Sequence, residues 1–351
     1  MQKTQRLSHL DLLKIIAMLL VCISHVYQRT VPGATKTLVF GLFYSVHMAL
    51  FMFVGGYLIK RCDKLLDLGK YFLKMFVYYL YPAVLFTILT VISMSRYANH
   101  DVIYWLNEFY VRTDTFYWYA ISAIIINAFL ATGYYIANKI FGKNNFVFDL
   151  LKNIFTLGLL AIFVLPVISV FKSETPGLLA SNLTIEFLPP AVFGFLMRSF
   201  GKYIKQSKIS ISVELFVFVA CLTGYIIALT HFKGWLAKDT YKLLFLHQLG
   251  SLAGVYVYYV VAKYLCKIKA ISTLSVYGKY SYPLYLVHVY LIRVITPYVS
   301  RIEQIDFYSI SFVVIYALVF TFGSLVVTMA LTKNKFVNLL LFGDYKAFKG
   351  I

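Results

Sequence analysis

Apolar residues run along this chain in blocks of about twenty, separated by short polar stretches rich in lysine. A membrane-crossing helix needs roughly 20 mostly apolar residues at about 1.5 Å each. Ten stretches reach that length: 10–27, 38–59, 71–93, 116–137, 150–171, 183–200, 211–230, 241–265, 282–298 and 307–332. The sixth and ninth are the weakest, since each is short and holds proline together with ionisable residues. Alternation at strand period is absent, which argues against a membrane β-barrel. The pattern therefore predicts an all-α, polytopic membrane bundle of about ten transmembrane helices. No loop is long enough for an appended soluble domain, since the longest, about 94–115, has only some 22 residues. Residues 1–351 are expected to form a single integral-membrane domain, with neither a repeat of 20–50 residues nor a low-complexity tract.

Composition agrees. Of 351 residues, 61% are hydrophobic and 13% charged, whereas a soluble domain is about half apolar and a quarter charged. That balance excludes a soluble enzyme, a disordered chain and a secreted disulfide scaffold. Cys22, Cys62, Cys221 and Cys266 form no CxxC pair and read as reduced fillers. The first helix is not expected to be cleaved: its apolar run contains Lys14 and lacks an A-x-A-like exit. Leu20-Val21-Cys22 lacks the small residue that precedes a lipidated cysteine.

The net charge of +19 changes the picture only through its distribution. With the amino terminus, every second loop and the carboxyl tail assigned to one side, that side holds 22 Lys and Arg against nine on the other. Lys14 and Arg293, which lie inside spans, are the two counted to neither side. This positive-inside bias predicts a multi-pass cell-membrane protein with both termini cytoplasmic. No nucleic-acid partner is expected, because no basic run is interleaved with aromatic residues in a soluble segment.

Ionisable groups inside spans are costly, so each is a functional candidate. The first helix carries Asp11, Lys14 and His25. Lys14 and His25 are eleven positions apart, about 20° beyond three turns, so they share a face with roughly 16 Å between them along the axis. Asp11, one turn before Lys14, can pair with it. A polar stripe across the bilayer is one reading. An interfacial ion pair with a snorkelling Lys14 and a capping His25 is the other. His47, Glu186, His247, His288 and Arg293 lie at comparable depth in other spans and together suggest a hydrated cavity. Glu214 reads as interfacial, and His9, His100 and His231 as solvated. There is no HExxH and no pair of histidines at i,i+4, so no metal is expected. A GxxxxGK[ST] or GxGxxG loop is also absent, which argues against nucleotide-driven transport. Gly55-Gly56 allows either a helix break or close packing. Pro189-Pro190 is expected to kink or interrupt the sixth span.

These residues resemble a known family, the integral-membrane acyltransferase family 3, which includes O-acetyltransferases of surface polysaccharides. The first-helix pattern of that family, a basic residue, ten positions and a histidine, reads here as Lys14 through His25, with Asp11 three before. Phe53-Val54-Gly55-Gly56-Tyr57 is similar to its F-x-S-G-Y, with Gly55 in place of serine. Tyr117-Trp118-Tyr119-Ala120 is similar to its W-F-L stretch, and Leu188-Pro189-Pro190 before Phe193-Gly194 to its F-L-P-x-F-x-x-G. Gly278 through Tyr282, with Leu284-Tyr285-Leu286-Val287-His288, matches its G-x-x-S-Y-x-x-Y-L-x-H. One departure concerns the R-x-x-R pair that often leads into the third span: Phe76 and Tyr79 stand before Pro82, with Lys70 and Lys74 nearby.

The resemblance implies an O-acyltransferase moving an acyl group, most simply acetyl, from cytoplasmic acyl-CoA to a hydroxyl of a cell-surface or lipid-linked glycan. Acetyl-CoA would be the donor substrate, with no permanently bound cofactor. His25 would be the general base, and His288 would polarise the carbonyl or relay the proton. Lys14, oriented by Asp11 and joined by Lys70 and Lys74, would hold the anionic donor. Glu186, His47 and Arg293 would orient the acceptor. The alternative within the same fold is an exporter of polysaccharide or lipid-linked sugar without acyl transfer.

Overall fold

A computed structural model describes residues 7–95, 101–104, 107, 117–142, 145–174, 177–206, 211–231, 241–299 and 310–344. Most of the loop at 94–115 lies outside the described residues. Among those described, helices carry the fold and no strand occurs. In chain order they begin with α1 (Ser8–Thr30), α2 (Leu38–Tyr44), α3 (His47–Leu58), α4 (Leu65–Met75) and α5 (Tyr81–Ser95). Next come α6 (Trp118–Phe141), α7 (Phe146–Leu159), α8 (Leu165–Glu174), α9 (Ser181–Gln206) and α10 (Ile211–His231). The last are α11 (Tyr241–Leu265), α12 (Lys269–Leu274), α13 (Ser281–Val299), α14 (Ile310–Lys333) and α15 (Lys335–Phe342).

Where they are described, the ten apolar stretches fall on helix, residues 116 and 307–309 lying outside the described residues, and among the described residues eight helical segments are long and apolar enough to cross a membrane. Leu246–Leu265 and Lys269–Val294 meet at a break bent by 112° and bring the figure to nine as a bent pair. Charged and imidazole side chains dilute these two runs: His247 and Lys263 in one, Lys269, Lys279, His288 and Arg293 in the other.

The chain divides into two compact units. The first comprises Met1–Val54 and Ile209–Met329. In it, α1 packs against α2, α11, α13 and the 3₁₀ turn Ser275–Tyr280. Within its span, 72% of positions are buried, against 6% for Ile211–Thr230 on α10. A helix that carries Asp11, Lys14 and His25 is thus surrounded by protein, while a more apolar helix is left to face lipid. The second unit comprises Gly55–Lys208 and Ala330–Ile351, built around α6, α7 and α9.

The helices break and bend where the backbone chemistry requires it, not always where the sequence suggested. Gly55 and Gly56 remain helical; the second span breaks instead at Ser45-Val46, between α2 and α3. Ser251 Oγ donates to the Ser45 carbonyl at 2.9 Å, and the Tyr225 hydroxyl donates to the Leu42 carbonyl at 2.9 Å. Carbonyls freed near the break thus find partners inside the unit, as a bilayer demands. Gly56 serves packing: a Cβ there would overlap the Ala191 carbonyl on α9. Pro189 and Pro190 do not interrupt α9, which runs through them for 26 residues. Each lacks an N–H, so the Ile185 and Glu186 carbonyls lose their i+4 donors while the helix continues. Wide π turns occupy Phe76–Leu80 and Leu160–Val164, just before Pro82 and Pro166. The wider turn relieves the clash between each proline ring and the carbonyl four residues back.

Gly278 makes the second close approach. A Cβ on it would lie 2.5 Å from the Asp11 carbonyl oxygen and 2.8 Å from the Asp11 Cβ. Its bareness lets the 3₁₀ turn seat on the start of α1. Gly278→Ala is expected to destabilise the purified protein by about 1–3 kcal/mol, the usual cost of overpacking. Unfolding in detergent measures this, and an unchanged midpoint would mean that the turn has room to spare.

Candidate functional site

Three imidazoles of the first unit come from three helices. His25 is half-buried near the end of α1, and its ring centroid lies 5.7 Å from that of His288 on α13, at an interplanar angle of 35°. His288 is fully buried at 0% exposure, and the Tyr285 ring flanks it at 5.7 Å. His47, also buried, opens α3 at the break in the second span, with the Tyr44 ring at 4.7 Å.

Backbone carbonyls fix two of these rings. His288 Nδ1 lies 3.2 Å from the Leu284 carbonyl, and His47 Nδ1 lies 2.7 Å from that of Tyr44. A carbonyl oxygen only accepts, so Nδ1 carries the proton in each bond, and in the neutral ring Nε2 holds the lone pair. His288 Nε2 is buried with no hydrogen-bond partner among the described residues. It is therefore a proton acceptor aimed into the interior of the unit.

At the other end of α1, Lys14 Nζ binds Asp11 at 2.6 Å, with side chains 20% and 12% exposed. The expected pairing is present. The expected polar stripe is not continuous, because Met18 and Val21, which share the face between Lys14 and His25, are apolar and almost fully buried. Arg293 is half-buried and five positions beyond His288 on α13, about 140° around the helix, so the two do not share a face. His247 is buried on α11.

The remaining candidates belong to the second unit. Lys70 and Lys74 are exposed on α4, and Lys74 Nζ lies 5.7 Å over the Tyr78 ring. Glu186 is half-buried on α9. Among the described residues no group of three or more His, Cys, Asp or Glu is placed to hold a metal ion. The four cysteines are free thiols; Cys62, between spans, is buried, and burial pushes its thiol up, which makes a poor nucleophile.

One polar group escaped the sequence reading. Asp149, Lys152 and Asn153 at the start of the fifth span are all buried, with Lys152 at 0% exposure. Asp149 accepts from Lys202 Nζ at 2.5 Å and from the Tyr203 hydroxyl at 2.9 Å, while Lys152 Nζ lies 3.8 Å away. Ser199 Oγ donates to Asn153 Oδ1 at 3.0 Å and accepts from Arg61 Nη2 at 2.6 Å. Counted as loop charge, Lys152, Arg198, Lys202 and Arg61 looked like topology signals alone. The Asp149-x-x-Lys152-Asn153 spacing, which puts all three on one helix face, was the available clue.

Because the Asp11–Lys14 pair is largely shielded, removing one partner should cost more than removing both. Asp11→Ala is expected to lose about 1–3 kcal/mol of stability, and Asp11→Ala with Lys14→Met should recover part of it. Unfolding of the single and double variants checks this; additive losses would show that the pair is not coupled.

A family model described as an acyltransferase domain, that of acyltransferase family 3, matches residues 7–332, nearly the whole chain. No curated protein and no solved structure matches. The matched region includes α1 with Lys14 and His25, the Gly278 turn and His288. A helical membrane bundle with these residues, matched over that length, belongs to acyltransferase family 3 and is a membrane acyltransferase.

Proposed function

We propose that the protein transfers an acetyl group from cytoplasmic acetyl-CoA to a hydroxyl of a cell-surface or lipid-linked glycan. The observation that carries this reading is the His25–His288 pair, at 5.7 Å between ring centroids, within a family 3 acyltransferase. Transfer to a hydroxyl needs a base. The acceptor oxygen attacks the thioester carbonyl, its proton passes to an imidazole, and the CoA thiolate leaves and takes up a proton. His25, half-buried and therefore reachable, is the base in this reading.

The Leu284 bond bears on the part of His288. With Nδ1–H engaged by that carbonyl, neutral His288 has no N–H at Nε2 with which to polarise a thioester. Proton relay through the Nε2 lone pair is the role this supports. His47, held in the same tautomer by Tyr44, would assist from the broken second span by orienting the acceptor. The loop-charge asymmetry supports cytoplasmic termini, and hence donor entry from the side where α1 begins.

The test is label transfer from acetyl-CoA to glycan by the purified, membrane-reconstituted protein. His25→Ala should insert and fold normally yet lose about 10²–10⁴-fold in rate, the usual contribution of a placed base. His288→Ala should also slow transfer, with less effect on donor affinity. Undiminished transfer by His25→Ala would remove the base assignment. Glycan movement without any ester product from the wild type would favour export.

A further inference from the structure

The acyl-transfer reading leaves the basic group of the second unit unused. Arg61 follows α3, Lys152 lies on α7, and Arg198 and Lys202 lie on α9. Asp149 is the buried carboxylate among them and is already shared by the ammonium groups of Lys202 and Lys152. Asp63 nearby is exposed and accepts from the Asn138 amide at 3.1 Å. Among the described residues neither Arg61 nor Arg198 has a carboxylate within ion-pair distance.

Arg198 Nη1 donates to the Tyr57 and Ile59 carbonyls, at 3.2 and 2.5 Å, where α3 ends. The partial negative charge of that helix terminus offsets some of its own. Arg61 has less. Nη2 donates to Ser199 Oγ, the guanidinium lies 4.8 Å over the Tyr134 ring, and Nε is buried with no hydrogen-bond partner among the described residues. Each arginine reaches the other's neighbourhood, since Ile59 precedes Arg61 by two residues and Ser199 follows Arg198. The two guanidiniums repel one another. Like charges gathered in a half-buried place raise the cost of the fold unless an anion joins them.

We propose that Arg61 and Arg198 form an anion site that takes a phosphate or diphosphate group. Planar guanidinium forks match phosphate oxygens, and Arg61 Nε offers a donor that no group among the described residues uses. All four basic residues belong to the side that the loop charges assign to the cytoplasm. The diphosphate of the CoA donor fits this chemistry, an identification that rests on the acyl-transfer reading; an anionic lipid headgroup offers the same phosphate. Lys14, already matched by Asp11, is the weaker competitor for it.

The experiment uses the full chain in phosphatidylcholine nanodiscs, with melting followed against inorganic pyrophosphate and against CoA, and again in nanodiscs containing phosphatidylglycerol. Pyrophosphate should raise the wild-type melting temperature and compete with CoA. Arg61→Gln should weaken both by about tenfold or more, the usual loss of a charge-assisted bond. Arg61→Lys keeps the charge without the fork and should weaken them several-fold even if Arg61→Gln fails to fold. A rise with phosphatidylglycerol alone, lost in either variant, supports the same site with a lipid phosphate in it. No response to any of the three, or equal responses in Arg61→Lys and wild type, overturns the proposal. His25→Ala should bind pyrophosphate like the wild type, so that loss of acyl transfer with intact binding separates the failure of one idea from that of the other.

Discussion

The seat of Gly278 on Asp11 is the contact on which the histidine site depends. It fixes the start of α13 against the start of α1, and the two helices then run in the same direction until His288 meets His25. In lipid, helix association gains little from hydrophobic burial and relies on close packing and internal polar contacts. A bare glycine at one end and an imidazole pair near the other supply both. The Asp11–Lys14 ion pair occupies the same end as the glycine, so that the polar side chains of α1 are answered within the unit.

A second constraint shapes the helices themselves. Every backbone group freed by a break or a proline must find a partner inside the protein. The second span satisfies it at Ser45-Val46 through Tyr225 and Ser251, and this break places His47 at the opening of α3. The third and fifth spans meet it by widening into π turns ahead of Pro82 and Pro166. His47 therefore sits where a helix is irregular, and the apolar α10 is largely left to lipid.

Much of this was legible in the residues. Block lengths gave the helices, and the spacing from Lys14 to His25 together with the Gly278–His288 pattern gave the family and the two histidines that lie together. Glycine and proline were harder to read. Gly56 marks close packing against Ala191, and Pro189-Pro190 sits inside a continuous helix, because both outcomes depend on neighbours that the sequence does not reveal. The run from Lys14 to His25 looked like a continuous polar face until Met18 and Val21 were seen to fill it. Arg61, Lys152 and Arg198 were hidden by their position: a basic residue at the end of a span serves topology equally well whether it is solvated or buried.

Acyl transfer through His25 requires that its ring face a water-accessible site that the donor reaches. Modification by diethyl pyrocarbonate, read residue by residue by mass spectrometry with and without acetyl-CoA, tests it most directly. His25 is expected to be modified in the free protein and protected when acetyl-CoA is present. A His25 that stays unmodified, or is modified equally with and without the donor, would contradict it.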